Sequence, residues 1–172
     1  KNILPIRLDG ATKEFFAWGL RVGFLTFGLS NQKAKDVLEA KVKGLIRSNI
    51  SSGAMPSQSA IKYILENHEQ FDKEIQANVK TLQERYEVTK EVVYDEKYKQ
   101  HWQAYDFNSG YFMALKVIGV NPEELRVHLI DKYSIGIIAL NDTDIRIAFS
   151  CVEKNDIPHV FDSIAKAIDD LK

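Results

Sequence analysis

The chain has 172 residues, of which 45% are hydrophobic and 27% are charged, and its formal net charge is -1. This composition is typical of a globular protein that has a substantial core and one domain or slightly more. The balanced charge argues against a nucleic-acid partner, the lack of a long apolar run argues against a membrane span, and the single cysteine, Cys151, favours a reducing cytoplasm.

Two short apolar segments near the start of the chain predict β-strands. Residues 3–8 (ILPIRL) and 20–27 (LRVGFLTF) are rich in β-branched and aromatic side chains and are bounded by glycines. Ser30 is predicted to be the N-cap of a helix that continues to about Ile46. From about Ser57 into the nineties, apolar residues recur at helical spacing, which predicts one long amphipathic helix.

In the last third of the chain, short strands alternate with helices. Strands are predicted over residues 111–118, 135–140 and 145–150. Helices are predicted over 122–133, where Asn121 is the cap and a proline follows it, and over 156–171. The sequence therefore predicts an α/β protein whose final third is a small α/β layer, connected by a long helix to part of a larger domain.

Familiar site motifs are missing from the sequence, and two cations remain as candidates. The four histidines lack metal-ligand spacing, so no metal site is predicted, and neither a glycine-rich nucleotide loop nor a nucleophilic serine turn occurs. Lys13 and Arg21 lie between the two predicted strands and can point into a shared cleft. Two neighbouring cations are unfavourable unless an anion lies between them or the amine loses its charge. The alternative is that both are ordinary surface cations.

Four segments carry a resemblance to a known family. Residues 12–24 (TKEFFAWGLRVGF) resemble the lysine segment of the class I/II (fold type I) pyridoxal-phosphate-dependent aminotransferases. Residues 44–58 (GLIRSNISSGAMPSQ) are similar to the family's arginine segment and the loop before its long interdomain helix. GYFMAL (110–115) and DIRIAFS (144–150) resemble strands of its small domain. The chain is thereby identified as similar to the C-terminal portion of such an enzyme.

The resemblance implies a domain organisation. Residues 1–56 are expected to be the C-terminal remnant of the large cofactor-binding domain, with its end strands and helices. Residues 57–100 are expected to form the long connecting helix, and residues 101–172 the small α/β C-terminal domain.

The resemblance also implies roles for four residues. Lys13 corresponds to the amine that forms a Schiff base with pyridoxal 5'-phosphate and then moves a proton between the substrate α-carbon and the cofactor. Arg21 corresponds to the guanidinium that holds the cofactor phosphate. Arg146 corresponds to the clamp on the substrate α-carboxylate. Arg47 matches a position from which some members reach across the dimer to a substrate side-chain carboxylate.

Each role has a simpler structural alternative. Lys13 could be a surface lysine, and Arg146 could be an exposed arginine in an edge strand. Arg47 could be a helix C-terminal arginine that complements the helix dipole. These alternatives stay open at the level of sequence.

The chain also departs from the family pattern. Gly10 stands where the family commonly has a serine that assists with the phosphate, and residues 50–53 read ISSG where aspartate aminotransferases tend to have an aromatic residue and prolines. The family's glycine-rich phosphate turn and its groups that contact the pyridine ring lie N-terminal to the lysine segment and are not in this chain.

The function implied by the resemblance is amino-group transfer between an amino acid and a 2-oxo acid, by a cytoplasmic, homodimeric enzyme in a biosynthetic process. The 172-residue chain is itself expected to be inactive, because many of the family's cofactor contacts are outside it. Two alternatives remain, namely a non-catalytic α/β interaction module and a pyridoxal-phosphate-dependent lyase of the same fold.

Overall fold

A computed structural model describes residues 3–108 and 110–172 of the chain. The described residues form six α-helices and six short β-strands, which confirms the expected α/β class. The chain divides into two compact units, and the division falls between Asn78 and Val79. The three-part domain organisation expected from the sequence stays a prediction.

The first unit contains a pair of antiparallel strands. β1 (Ile6–Gly10) pairs with β2 (Gly23–Phe27), in a register that runs from Ile6 opposite Phe27 to Gly10 opposite Gly23. Both predicted strands are therefore confirmed, with later starts. The first start is delayed because Pro5 has no N–H for the ladder. The second is delayed because Arg21 has a left-handed backbone (φ 54°, ψ 46°), which an extended strand cannot include.

Each strand of this pair is followed by a helix. α1 (Ala11–Glu14) follows β1 directly, and α2 (Gln32–Asn49) follows β2. The predicted cap of α2 is wrong by one residue, because the side chain of Asn31, not that of Ser30, accepts a hydrogen bond from the backbone N–H of Ala34 at 3.0 Å. The amide oxygen of asparagine is as good an N-cap as a serine hydroxyl, so composition alone did not discriminate between the neighbours.

The single long helix predicted from about Ser57 is wrong. The structure has α3 (Met55–Glu66) and α4 (His68–Val93), separated at Asn67. The Asn67 side chain donates a hydrogen bond to the carbonyl oxygen of Tyr63 at 2.8 Å, and its backbone N–H bonds the same oxygen at 3.1 Å. Asparagine competes in this way with the regular helical pattern, and the apolar spacing on either side gives no sign of the break.

The second unit is built on a four-stranded antiparallel sheet with the order β3, β4, β6, β5. Its strands are β3 (Trp102–Ala104), β4 (Met113–Val117), β5 (Ile138–Ala139) and β6 (Asp144–Ile147). The three predicted strands are confirmed in shortened form, and β3 was not predicted. β6 ends early because a 3-10 turn over Phe149–Cys151 follows it.

Two helices complete the second unit. α5 (Pro122–Tyr133) begins at the predicted cap, where the side chain of Asn121 accepts hydrogen bonds from two backbone N–H groups. α6 (Ile157–Asp170) confirms the last predicted helix. The core lies between these helices and the sheet. Its fully buried side chains, each with no exposed surface, are Leu115, Leu125, Leu129, Ile145, Ile164, Ala167 and Ile168.

No helix among the described residues is both long enough and apolar enough to cross a membrane.

Candidate functional site

Lys13 lies in the short helix α1, immediately after β1. Ala11, at the start of α1, is fully buried and anchors this turn, whereas the Lys13 side chain is exposed. The N–H of Phe15 donates to the carbonyl oxygen of Ala11 at 3.2 Å and closes the turn. The lysine is thus carried on a short, anchored element and is exposed as a residue.

The segment that contains Lys13 and Arg21 connects β1 to β2, and backbone contacts hold its two ends together. Gly10 pairs with Gly23 at the end of the two strands, and the N–H of Ala11 donates to the carbonyl oxygen of Val22 at 3.1 Å. Residues 11–22 therefore form a closed connection between the two strands. Both predicted cations lie in this closed connection.

Arg21 has an uncommon backbone conformation near the end of this closed connection. Its left-handed backbone is sparsely populated by residues other than glycine and asparagine. The guanidinium Nη1 donates to the carbonyl oxygen of Trp18 at 3.0 Å, which ties the side chain to the preceding 3-10 turn. This one bond leaves other N–H donors of the guanidinium available to a ligand.

Arg21 lines a cleft of about 650 Å³ within the first unit. The cleft also receives Lys62 from α3, and its other lining residues are mostly apolar. None of the residues that line it in the described part of the chain is an aspartate or a glutamate. Lys62 is paired with Glu66 at 3.6 Å, so Arg21 is the cation of this cleft that suits an anion such as a phosphate. Lys13 does not line this cleft. The cleft is therefore lined by Arg21 but is not shared with Lys13, contrary to the expectation from the sequence.

Arg47 lies in the last turn of α2, near the same cleft but not on its surface. Its Nη1 donates to the hydroxyl oxygen of Ser51 at 2.5 Å, and Ser51 has a left-handed backbone with φ 67°. A cation in the last helical turn complements the dipole of α2. This position agrees with the structural interpretation of Arg47 and leaves its proposed contact with substrate as a prediction.

Arg146 lies in the second unit, at the centre of β6. Its Cα is opposite Ala114 of β4 on one side and Ile138 of β5 on the other. The interpretation of Arg146 as an edge-strand residue is therefore wrong, because β6 is an interior strand. Ile145 and Ile147 point into the core, so the half-buried Arg146 side chain lies on the opposite face of the sheet.

An aromatic ring that sequence reasoning missed contacts Arg146. The guanidinium carbon lies over the ring of Phe112, 4.6 Å from its centroid. Arg146 makes no ion pair with a carboxylate anywhere in residues 3–108 and 110–172. The alternation of residues 112–117 contained a signal for Phe112, because it places that ring on the face opposite the buried Met113.

A cluster of charged and polar side chains lies elsewhere in the second unit, where α5 and α6 end. One carboxylate oxygen of Asp170 accepts hydrogen bonds from Lys132 Nζ at 2.8 Å and from the Tyr133 hydroxyl at 2.7 Å, and lies 3.0 Å from His128 Nε2. The hydrogen bond from Lys132 has the largest effect on the pKa of Asp170, and those of His128 and Tyr133 come next. Together they lower this pKa well below its usual range. Within the described residues, no group of three or more histidine, cysteine, aspartate or glutamate side chains could hold a metal ion.

Comparison with known protein families gives one match. The family model described as aminotransferase class I and II matches residues 6–164. No curated protein matches the chain with significance.

Solved structures resemble the fold across most of the chain. An aminotransferase from Anaerococcus prevotii superposes with a TM-score of 0.72 at 20% identity, over 94% of this chain and 38% of that one. The α-aminoadipate aminotransferase of Thermus thermophilus gives 0.73 at 15% identity, over 96% and 42%. The kynurenine aminotransferase of Pyrococcus horikoshii gives 0.74 at 16%, over 96% and 40%. The chain thus shares their fold and spans about two-fifths of their length.

Proposed function

The chain belongs to the aminotransferase class I and II family, and we propose that it is the C-terminal part of a pyridoxal-phosphate-dependent enzyme that transfers an amino group between an amino acid and a 2-oxo acid. The observation that carries this proposal is the closed connection over residues 11–22. It carries both an exposed lysine and an arginine with N–H donors available to a ligand. Two of the solved structures support the choice of cofactor. The Thermus structure is a complex with N-(5'-phosphopyridoxyl)-L-leucine, and the Pyrococcus structure is a complex with PMP.

The residues of the first unit fit this cofactor. Pyridoxal 5'-phosphate supplies an aldehyde that takes up an amine as a Schiff base and a ring that withdraws electrons from the substrate α-carbon. Lys13 is exposed as a residue. Its amine would hold the aldehyde, and once released it would act as the base that moves the α-proton. An anchored short helix suits this dual role because the amine must stay within reach of the same carbon.

Arg21 would bind the cofactor phosphate. A guanidinium that has given one donor to the Trp18 carbonyl still offers a fork of N–H groups to two phosphate oxygens. Among the described residues, no carboxylate side chain lines the cleft beside it, where it could compete for those donors or repel the phosphate. Its role would be to retain the cofactor through the phosphate group.

Arg146 would clamp the substrate α-carboxylate, and Arg47 a side-chain carboxylate of a substrate bound across a dimer. Arg146 has no carboxylate partner among the described residues of its unit, so it is suited to an incoming carboxylate, which supports this role. For Arg47 the supporting feature is its exposure at the end of α2, and the dipole interpretation accounts equally well for that position.

The complete enzyme is proposed to be a cytoplasmic homodimer with a biosynthetic role. The exposed free thiol of Cys151 supports a reducing compartment. The 172-residue chain alone is proposed to be inactive, because it spans about two-fifths of the structures that it resembles.

The proposal is tested by chemical trapping in the complete polypeptide that contains these residues. The protein is loaded with pyridoxal 5'-phosphate, reduced with borohydride, digested and mapped by mass spectrometry. We expect the pyridoxyl group on Lys13, with labelling lost in Lys13→Ala and retained in the matched control Lys33→Ala. A pyridoxyl group on Lys33 or Lys35 instead would overturn the assignment. Conversion of one amino acid and one 2-oxo acid into the exchanged pair separates a transaminase from a lyase, which needs no second substrate.

A further inference from the structure

The ring of Phe112 and the guanidinium of Arg146 form a cation–π contact on the outer face of the second unit's sheet. The guanidinium carbon is 4.6 Å from the ring centroid, well inside the range in which a ring face attracts a cation. Phe112 is 40% exposed as a residue and Arg146 is half-buried, so the pair is reachable from solvent.

The register of the sheet produces this contact. Ala114 is directly opposite Arg146, and Met113 is opposite Ile147. Because side chains alternate between faces, Phe112 shares the outer face with Ala114 and lies diagonally across from Arg146. The methyl group of Ala114 is too small to fill the space between them, so the arginine side chain can reach the ring.

An acidic side chain on that face, Asp144, is hydrogen-bonded to other partners. Asp144 lies two residues before Arg146 in β6, but its carboxylate accepts hydrogen bonds from the Tyr105 hydroxyl at 3.0 Å and from Asn141 Nδ2 at 2.7 Å. Its first partner, Asn141, lowers the pKa of this carboxyl. The protein therefore orients Arg146 with a ring and not with a carboxylate.

This choice of partner has a chemical consequence. A carboxylate would neutralise the guanidinium and occupy its N–H donors, whereas a phenyl ring has no oxygen or nitrogen acceptor and carries no charge. Phe112 can restrict the rotamers of Arg146 while the charge and the donor fork stay available to a ligand. Pre-ordering of a long side chain reduces the entropy that a ligand must overcome.

We propose that Phe112 is a positioning residue, which holds the Arg146 guanidinium by a cation–π contact in the orientation that receives the substrate carboxylate. The inference rests on the proposed function, because it takes Arg146 to be the carboxylate clamp.

The test uses the complete cofactor-loaded enzyme and three variants of Phe112. Phe112→Leu keeps an apolar side chain and removes the π face, and Phe112→Trp and Phe112→Tyr restore it. Propionate, a carboxylate without an amino group, is the binding probe, and its Kd is measured by calorimetry beside the KM of the best amino acid from a panel. Phe107→Leu is the matched control, since Phe107 is an aromatic residue of the same unit that contacts Tyr86 and Phe149.

In Phe112→Leu we expect both the propionate Kd and the amino acid KM to rise about two- to fivefold, the loss expected for an exposed cation–π pair. The Kd of the cofactor should not change, and the Trp and Tyr variants should stay near the wild type. In an Arg146→Ala background, Phe112→Leu should have no further effect on propionate.

The possible failures are distinguishable. If Arg146→Ala leaves propionate binding unchanged, the clamp role in the proposed function is overturned, and the positioning role of Phe112 with it. If Arg146→Ala abolishes binding but Phe112→Leu does not weaken it, the positioning role alone is overturned. That role is also overturned if Phe112→Leu weakens propionate binding no more than Phe107→Leu does, or if the effect persists without Arg146.

Discussion

The N–H of Ala11 donates a hydrogen bond to the carbonyl oxygen of Val22 at 3.1 Å, one residue beyond the last rung of the β1–β2 ladder. This bond joins the start of α1 to the residue that follows Arg21. Lys13 and Arg21 are thereby carried by one closed segment, and their separation depends on the conformation of that segment and not on a flexible loop.

Substitution of Lys13 should remove activity without affecting the fold. The side chain is exposed, so Lys13→Ala in the complete enzyme should change the unfolding midpoint little, while turnover falls by about 10² to 10⁴-fold or more because the proton-transfer base is lost. Steady-state turnover and thermal unfolding measure the two effects. Lys33→Ala, an exposed lysine at the start of α2, should leave both unchanged. Equal losses in the two variants would remove the special role of Lys13.

Substitution of Arg21 should weaken retention of the cofactor. Arg21→Ala removes the charged donors but keeps a Cβ, so the backbone cost of the left-handed conformation is unchanged. We expect the Kd for pyridoxal 5'-phosphate to rise about 10- to 100-fold, which corresponds to a charge-assisted hydrogen bond of about 1.5 to 3 kcal/mol. Equilibrium dialysis of the complete apoenzyme measures this constant.

The matched control for Arg21 is Lys62, the second cation of the same cleft. Lys62 is paired with Glu66 at 3.6 Å and is largely exposed, so Lys62→Ala should change the cofactor Kd by less than about twofold if the phosphate is held by the arginine fork. A larger loss in Lys62→Ala than in Arg21→Ala would reverse the assignment of the phosphate contact.

The Asp170 cluster should make the stability of the chain depend on pH. Lys132, with His128 and Tyr133, lowers the pKa of Asp170 in the folded state, so the unfolded state binds a proton more readily. The cluster is therefore fully stabilising above the ordinary carboxyl pKa of about 3.9, and the stabilisation is lost as the pH falls through that value toward the folded pKa.

The variant that checks this is Asp170→Asn. Its melting temperature should be lower than that of the wild type at neutral pH, and the difference should shrink as the pH is lowered below about 4. Calorimetric scans across this range provide the measurement. A difference that stays constant with pH would show that the lost stability does not come from ionisation of Asp170.

The cap of α5 gives a prediction about stability. The side chain of Asn121 accepts hydrogen bonds from the backbone N–H groups of Glu123 at 2.9 Å and Glu124 at 3.2 Å. Asn121→Ala should lower the free energy of unfolding by about 0.5 to 2 kcal/mol, and Asn121→Ser should recover most of the loss, because a serine hydroxyl also caps. Chemical denaturation of the three proteins measures the difference, and equal stability of all three would show that this cap contributes nothing.

The helices of the second unit could be predicted from local signals. An asparagine followed by a proline marks the start of α5, and the chemistry of those two residues is independent of the rest of the chain. The break at Asn67 could not be predicted in this way, because apolar residues recur at helical spacing on both sides of it. β3 was missed because it has only three residues and is defined by its pairing with β4.

By itself, the sequence determined the α/β class, the family and the placement of Lys13 and Arg21 between two strands, because these depend on residue types and spacings along the chain. Only the tertiary structure decided that β6 is an interior strand and that Phe112 lies against Arg146. Such contacts depend on strand order and register, and a shift of one residue would turn Arg146 to the other face of the sheet. The alternation of Ile145, Arg146 and Ile147 predicts which face each side chain occupies, but it does not predict which strand pairs with β6 or in what register.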